Sequence, residues 1–298
     1  MGHSTASPQA QMARLIALLL LASLLSACSP RLMLVRSVAD ELASQGQAEE
    51  EDLGLARESA AFYLKLSESL LRQTPDHLAL AESVAGGFTQ YAYAFVAFEA
   101  ERLESRDARA ALQLRQRAAR LYLRAHRHAM AALEARHGGG LRQALQMAQP
   151  LPPLPSEQVG LAYWAAASWA AYISLSKHSP DIVADLPQAQ RLAELAWAAQ
   201  PLHGEGALAA LLGTLEAARP GGSSRRAEAF FAQALTAAAG RNAGVYVGQA
   251  ESLAQPAGDR AAFEALLRQA LAVPGNSLGN QLMRQRAQWL LDSADDLF

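Results

Sequence analysis

Apolar and polar positions follow a helical period along almost the whole chain. Residues 161–220 hold three alanine-rich segments of helical length. The first segment carries large aromatic residues on more than one helical face, with Trp164 on one face and Trp169 and Tyr172 on another. Such a helix cannot bury its aromatic side chains against a single neighbour, so we expect it to lie in the middle of the molecule. Four prolines separate the segments: Pro180, Pro187, Pro201 and Pro220.

A short pattern of mostly small residues recurs in four of the helical segments. Its copies are Ala118, Tyr122 and Ala125; Ala189, Ala193 and Ala196; Ala227, Phe231 and Ala234; and, in weaker form, Leu267 and Ala270. The last alanines of successive copies lie 71, 38 and 36 residues apart, so the first step spans about two of the others. Helix pairs of the tetratricopeptide (TPR) kind repeat with a similar period, of about 34 residues.

Further helical segments surround this stretch, at about 32–46, 49–73, 77–104, 107–136 and 278–294. Gly86 and Gly87 interrupt an apolar stripe in the third of them, although glycine costs about 1 kcal/mol relative to alanine inside a helix. We expect close contact with a neighbouring helix to compensate. Strand signals are scarce. The sequence therefore predicts an all-α fold, built as a TPR-like helical-repeat (α-solenoid) array of antiparallel helix pairs.

A glycine- and proline-rich stretch interrupts the helical pattern near the middle of the chain. It begins with three glycines from Gly138 and contains PLPPLP at 150–155. We interpret residues 138–156 as an insertion between an N-terminal helical lobe, 28–137, and a C-terminal TPR-like lobe, 157–298.

The first 27 residues have the features of a lipoprotein signal peptide. Arg14 precedes an eleven-residue apolar run, which suits a signal sequence and is short for a membrane span. Leu25-Ser26-Ala27 then leads to Cys28, which is the chain's one cysteine and so has no disulfide partner within the chain. This order of residues resembles a lipobox, in which the cysteine is diacylated. We therefore expect a periplasmic protein anchored by Cys28 in the inner or the outer membrane.

Composition and motifs argue against several function classes. The formal charge of −2 disfavours nucleic acid as a partner. No metalloprotease, nucleophile-elbow, P-loop or dinucleotide-binding motif is present, and no cysteine spacing suits a metal. His126 and His128 lie two residues apart on one helix and so cannot grip one ion together. We expect no enzyme activity, cofactor or metal.

A row of arginines is the one surface feature whose charge suggests a partner. Arg117, Arg120, Arg124 and Arg127 follow one another at helical spacing on one side of the 107–136 helix. Such a row is commonly a solvated face, and its alternative role is to contact an acidic partner or lipid headgroups.

The C-terminal tail combines acidic and apolar residues. Asp292, Asp295 and Asp296 stand at the end of the last helix, where negative charge is unfavourable to the helix dipole. Either the tail is frayed, or these carboxylates have hydrogen-bond donors elsewhere in the protein. Phe298 at the end of the chain favours a docked tail.

Several stretches, in order along the mature chain, resemble the TatT family, the TPR-type periplasmic lipoproteins associated with tripartite ATP-independent periplasmic (TRAP) transporters. They are TQYAYAFV at 89–96, RLYLRA at 120–125, YW at 163–164, ISLSK at 173–177, DLP at 185–187, RAQWLL at 286–291 and DDLF at 295–298. After Gly206, where the family tends to carry a histidine and aromatics, this chain has ALAA.

The resemblance implies an adaptor that docks the substrate-binding protein of a TRAP transporter and helps to pass an apolar or organic-acid ligand. It also implies an inner channel and self-association as a trimer. The candidate lining residues are Tyr91, Tyr93, Tyr163, Trp164, Trp169, Tyr172 and Lys177. For the four aromatics from Tyr163 to Tyr172, an ordinary place in the core is the alternative.

Two other functions stay open at this point. A helical-repeat lipoprotein also suits a general scaffold for envelope assembly, because such arrays present long concave surfaces. A carrier of lipids or fatty acyl chains that acts alone is the other alternative, with the aromatic residues lining its cavity.

Overall fold

The structure is a computed structural model that describes residues 12, 30–45 and 52–298. The predicted signal peptide (apart from Met12) and Cys28 lie outside these residues. The described residues form helices and connections, without strands. The helices are α1 (Pro30–Gln45), α2 (Leu53–Leu71), α3 (Leu78–Ala92), α4 (Phe98–Leu103), α5 (Ala108–Arg136), α6 (Leu141–Gln146), α7 (Val159–Ser174), α8 (Pro180–Val183), α9 (Leu186–Ala199), α10 (Ala207–Ala218), α11 (Ser224–Ala238), α12 (Ala243–Gln249), α13 (Arg260–Ala272), α14 (Leu278–Asp292) and α15 (Ala294–Leu297).

The predicted 77–104 helix is divided in the structure. A π-helical turn, Tyr93–Ala97, separates α3 from α4, and a second π-helical turn, Ala250–Ala254, follows α12.

Side-chain caps mark where several helices begin: Asp52 accepts hydrogen bonds from the backbone N–H groups of Gly54 and Leu55 at the start of α2. In the described part of the chain, no helix is both long enough and apolar enough to cross a bilayer.

Long helices that follow one another in sequence pack together. In addition, one set of alternate helices forms a continuous series of contacts. The helices α3, α7, α10, α12 and α14 contact one another in that order. Between them lie α5, α9, α11 and α13, each packed against the two flanking members of the first set. Stacked helix pairs have this order of neighbours. The all-α class is confirmed, and the regular α-solenoid repeat stays a prediction.

The recurring small residues lie at the contacts of the intervening helices. Ala125, Ala196, Ala234 and Ala270 belong to α5, α9, α11 and α13, and each is 0% exposed. The register read from the sequence therefore matches the buried side of these four helices.

Helix α7 lies in the middle of the molecule, as its aromatic pattern predicts. It packs against α3, α5, α9 and α10. Trp169 is buried, and Trp164 is partly buried on the side of α3. Contact with helices on several sides is what a helix with aromatics on several faces requires.

The two glycines of α3 do face close neighbours, which confirms that expectation. A Cβ atom on Gly86 would lie 2.7 Å from Cε2 of Trp164, and one on Gly87 would lie 2.5 Å from Cδ2 of Leu64. The obstacles differ, because the tryptophan ring is rigid and held between α3 and α7, whereas Cδ2 is the far end of a flexible side chain.

The core runs across the predicted insertion. One hydrophobic cluster includes Leu64 and Leu133 from before residue 138, Leu145 and Leu154 from within the insertion, and Leu192 from beyond it. The division into two lobes stays a prediction.

Near its C-terminus the chain returns to its N-terminal half through one buried arginine. Arg286 of α14 is 6% exposed, and its Nη2 donates to Glu251 Oε1 at 2.5 Å. Its Nη1 lies 2.7 Å from Glu101 Oε2 on α4, off the N–H directions, so that contact is an ion pair without a directed hydrogen bond. The guanidinium also lies over the rings of Phe98 and Trp289, at 5.1 and 5.3 Å.

The tail is docked as expected. The rings of Phe298 and Phe263 lie 5.2 Å apart. Asp295 pairs with Arg260 of α13 at 2.7 Å, as expected. Asp292 instead accepts a hydrogen bond from Gln288 of its own helix, at 2.8 Å.

The glycine pair provides a matched test of helix packing. We expect Gly86→Ala to destabilise the protein by about 1–2 kcal/mol, because overpacking against Trp164 outweighs the gain in helix propensity. Gly87→Ala should leave stability within about 1 kcal/mol of the parent, since Leu64 can turn away. Urea unfolding measures both, and equal effects of the two substitutions would contradict the close contact at Trp164.

The buried arginine provides a second test. Arg286→Met leaves Glu101 and Glu251 without their shared cation and should cost about 3 kcal/mol at pH 7. Burial raises the pKa of Glu101, and Arg286 supplies the largest of the interactions that oppose this rise. The folded state then binds a proton more readily than the unfolded state, so stability should recover as the pH falls towards 5.

Arg284→Met is the control for this experiment. Arg284 is also on α14, but it donates to the carbonyl oxygens of Val273 and Gly275 instead of to a carboxylate. Thermal melts of both variants at pH 7 and pH 5 are compared. A loss that is equal at both pH values for Arg286→Met would exclude the two carboxylates as its cause.

Candidate functional site

The predicted lining residues fall into more than one group, and Tyr91, Tyr93 and Tyr172 pack against one small apolar cluster that includes Tyr122. Tyr163 and Trp164 lie together, with ring centroids 4.8 Å apart, and His203 lies 5.6 Å from Tyr163. Trp169 and Tyr172 line a small groove, and Lys177 lines a larger one. Tyr91 stacks edge-on against Phe95 at 5.5 Å, and Tyr93 lies 5.8 Å from the Arg286 guanidinium.

The Tyr163–Trp164 pair lies at a close crossing between α3 and α7. Trp164 covers Gly86, and one turn earlier on both helices the Glu82 carboxylate lies against Gly160. Burial raises the pKa of Glu82, and no cation in the described part of the chain pairs with its carboxylate. Burial also raises the pKa of Tyr163 to about 12 and lowers that of His203. All three pKa shifts favour uncharged side chains, because burial at this crossing penalises the charged forms.

The small groove has a volume of about 280 Å³ and lies beside the middle of α5. It is lined by Trp169, Tyr172, His126 and Arg127, among others. The rings of His126 and Trp169 lie 4.4 Å apart. His126 Nδ1 donates to the carbonyl oxygen of Ala165 at 3.1 Å, and burial lowers the pKa of this histidine to about 4, so it is neutral at pH 7.

The larger groove has a volume of about 840 Å³ and is open to solvent. Of the candidate residues it contains Lys177, which is exposed, while its other cations come from residues that the sequence analysis did not single out. Its chemistry is that of an apolar trough with a basic rim.

The arginine row is not uniform. Arg117, Arg120 and Arg127 are exposed, whereas Arg124 is half-buried and forms a two-pronged ion pair with Glu68 of α2. Arg124 also lies over the ring of Phe88, at 4.9 Å. The row therefore offers three arginines to solvent, and the fourth joins α5 to α2.

Glu68 is a buried ion-pair centre that sequence reasoning missed. Its side chain is 3% exposed and also contacts Lys65 at 2.7 Å and His128 at 2.8 Å. Burial alone would raise the pKa of Glu68, but the bonds from Arg124, Lys65 and His128 outweigh it and lower the pKa to about 2. Its position on the buried side of α2 was the one available signal, and its partners on α5 lie 56 and 60 residues away.

Sequence reasoning also missed a second buried carboxylate, Glu216. Its side chain is fully buried, and it accepts hydrogen bonds from both Arg219 and the backbone N–H of Ser223. These interactions lower the pKa of Glu216 to about 2 and hold the turn from α10 to α11. Among the residues that the structure describes, no group of histidine, cysteine and acidic side chains could hold a metal ion.

A family model for the TRAP transporter T-component, TAtT, matches residues 49–298. The chain belongs to the TRAP transporter T-component family. A protein of Treponema pallidum (strain Nichols) described as uncharacterized is 30% identical over 263 residues, which cover 84% of this chain and 81% of that one. This T component is therefore an accessory part of a transport system and is associated with a TRAP transporter.

Proposed function

We propose that this T component is a membrane-anchored periplasmic adaptor that docks the substrate-binding protein of its TRAP transporter. The observation that carries the proposal is the family match, which includes the helices from α2 to α15. An adaptor needs a rigid surface and no reacting groups, and stacked helices offer such a surface.

The exposed part of the arginine row is the docking surface that we propose. Arg117, Arg120 and Arg127 face solvent from α5, the longest described helix. Exposed charges of one sign speed the encounter with a partner of opposite charge and make it sensitive to salt. The occupant of this surface would be an acidic patch on the substrate-binding protein.

The adaptor also takes part in passing an apolar or organic-acid ligand. The small groove beside α5 supports this role, because Trp169 and Tyr172, two of the candidate lining residues, border its volume of about 280 Å³. We further propose self-association as a trimer, on the family resemblance alone.

The docking proposal predicts a complex between two purified proteins. Soluble protein that begins at Ser29 should bind the substrate-binding protein of the same transporter. Arg117→Glu combined with Arg120→Glu should slow association about tenfold at low salt and reduce its salt dependence. Surface-plasmon resonance at several salt concentrations measures both effects.

A control of equal net charge combines Arg57→Glu with Arg225→Glu, because both arginines are exposed and lie on other helices, α2 and α11. Arg124 is left unchanged, since its loss would leave Glu68 buried and without its main partner. If both double variants slow association equally, the arginine row contributes only general charge attraction and is not the docking surface. If the protein does not bind the substrate-binding protein at all, the adaptor function is refuted and the envelope-scaffold function remains.

The anchor is tested separately. Cys28→Ala should release the protein from membranes into the soluble periplasmic fraction, because the acyl chains on that cysteine supply the attachment. Ser29→Ala, at the next residue, should stay with the membranes. If the Cys28→Ala protein still sediments with membranes after a carbonate wash, the attachment lies elsewhere in the chain.

A further inference from the structure

The larger groove combines a basic rim with apolar walls. Its walls include three prolines, Pro180, Pro187 and Pro220, together with Val183 and Leu186. Its volume of about 840 Å³ falls within the range of small-molecule sites, about 300–1,000 Å³. The predominantly apolar walls call for a ligand with an apolar body.

Two of the four cations in the groove are already used within the protein. Arg191 donates to the carbonyl oxygens of Ala144 and Leu145 at 3.2 and 3.0 Å and to that of Gln149 at 2.7 Å. Arg219 donates through Nε and Nη2 to the buried Glu216. These two arginines therefore form part of the groove wall, and most of their hydrogen-bonding capacity is used within the protein.

Lys177 and Arg226 are the cations that a ligand can reach. Lys177 is exposed, and its side chain makes no hydrogen bond or ion pair within residues 30–45 and 52–298. The Arg226 side chain is 57% exposed, and its nearest carboxylate oxygen, on Glu216, is 4.0 Å away. Because Glu216 is paired with Arg219, it neutralises Arg226 only weakly.

The backbone adds positive potential at the same place. Pro187 lies in the first turn of α9 and Arg226 in the first turn of α11, so two helix N-termini border the groove. The one acidic side chain in the lining, Glu194, accepts a hydrogen bond from Gln190 at 2.9 Å. Cations therefore outnumber anions around the apolar walls.

We propose that this groove binds a monomeric amphiphilic carboxylate, with its apolar chain along the proline and leucine walls and its carboxylate at Lys177 and Arg226. The site is separate from the exposed arginine row on α5 and from the Tyr163–Trp164 crossing. It does not require the docking of a substrate-binding protein. It gives the chain a ligand site whose selectivity depends on charge as well as on apolar surface.

The experiment uses the delipidated soluble protein and decanoate at concentrations at which it stays monomeric. Calorimetry should detect one site for decanoate and at least tenfold weaker binding of decanol, which has the same chain length without the charge. Lys177→Gln and Arg226→Gln should each weaken decanoate binding about three- to tenfold, and added salt should do the same.

Arg225→Gln is the matched control. Arg225 is the neighbour of Arg226 in sequence, is equally exposed to solvent, and does not line the groove. Its replacement removes the same charge and should leave decanoate binding unchanged. Because Lys177, Arg225 and Arg226 are all exposed, the three variants should have the same melting temperature as the parent protein.

Three results would overturn the proposal: decanol binding as tightly as decanoate, decanoate binding that ignores both groove substitutions, or no binding of decanoate. The same variants are titrated with the substrate-binding protein. If they lose that partner while decanoate does not bind, the groove is a protein-docking surface and the ligand site is refuted. If they bind decanoate weakly and the partner normally, the two sites are independent, and a failure of docking leaves the groove result intact.

Discussion

Close approach between helices at small residues is the constraint on which this structure depends. Ala125, Ala196 and Ala234 are fully buried at helix contacts, and Gly86 lies directly under the ring of Trp164. Close-packed interiors leave no room for added atoms at such points. How closely the helices that carry these residues approach one another follows from these few side chains.

Interfaces built from small residues contain few large side chains that could fix how distant helices sit, and buried charges supply that specificity. Glu68 joins α2 to α5 through Arg124, and Arg286 joins α14 to α4 through Glu101. Each pair connects helices that are distant in the sequence. Removing one partner leaves a buried charge unpaired, so these contacts are more selective than an apolar contact of the same area.

The sequence indicated which residues are candidates for a site, but only in part which of them lie together in space. Tyr163 and Trp164 are adjacent in the chain, and the structure keeps them together. The structure also brings Tyr91, Tyr93 and Tyr172 to one cluster around Tyr122, a grouping that spacing within one helix does not predict. Lys177 lies in a different place, in the larger groove. Arg124 shows this most clearly: its spacing assigns it to the exposed row, yet a carboxylate 56 residues earlier draws it inward. A row of charges predicts a helix face but not which of its members meets a partner.

The sequence by itself determined the helical class, the buried register of the repeated alanines and the need for close contact at Gly86 and Gly87. These features depend on periodicity and on side-chain size, which are local properties. Only the tertiary structure decided that Arg286 meets Glu101 and that Lys177 and Arg226 share one groove. Those pairings depend on how successive helix layers stack, and no periodicity within a single helix contains that information.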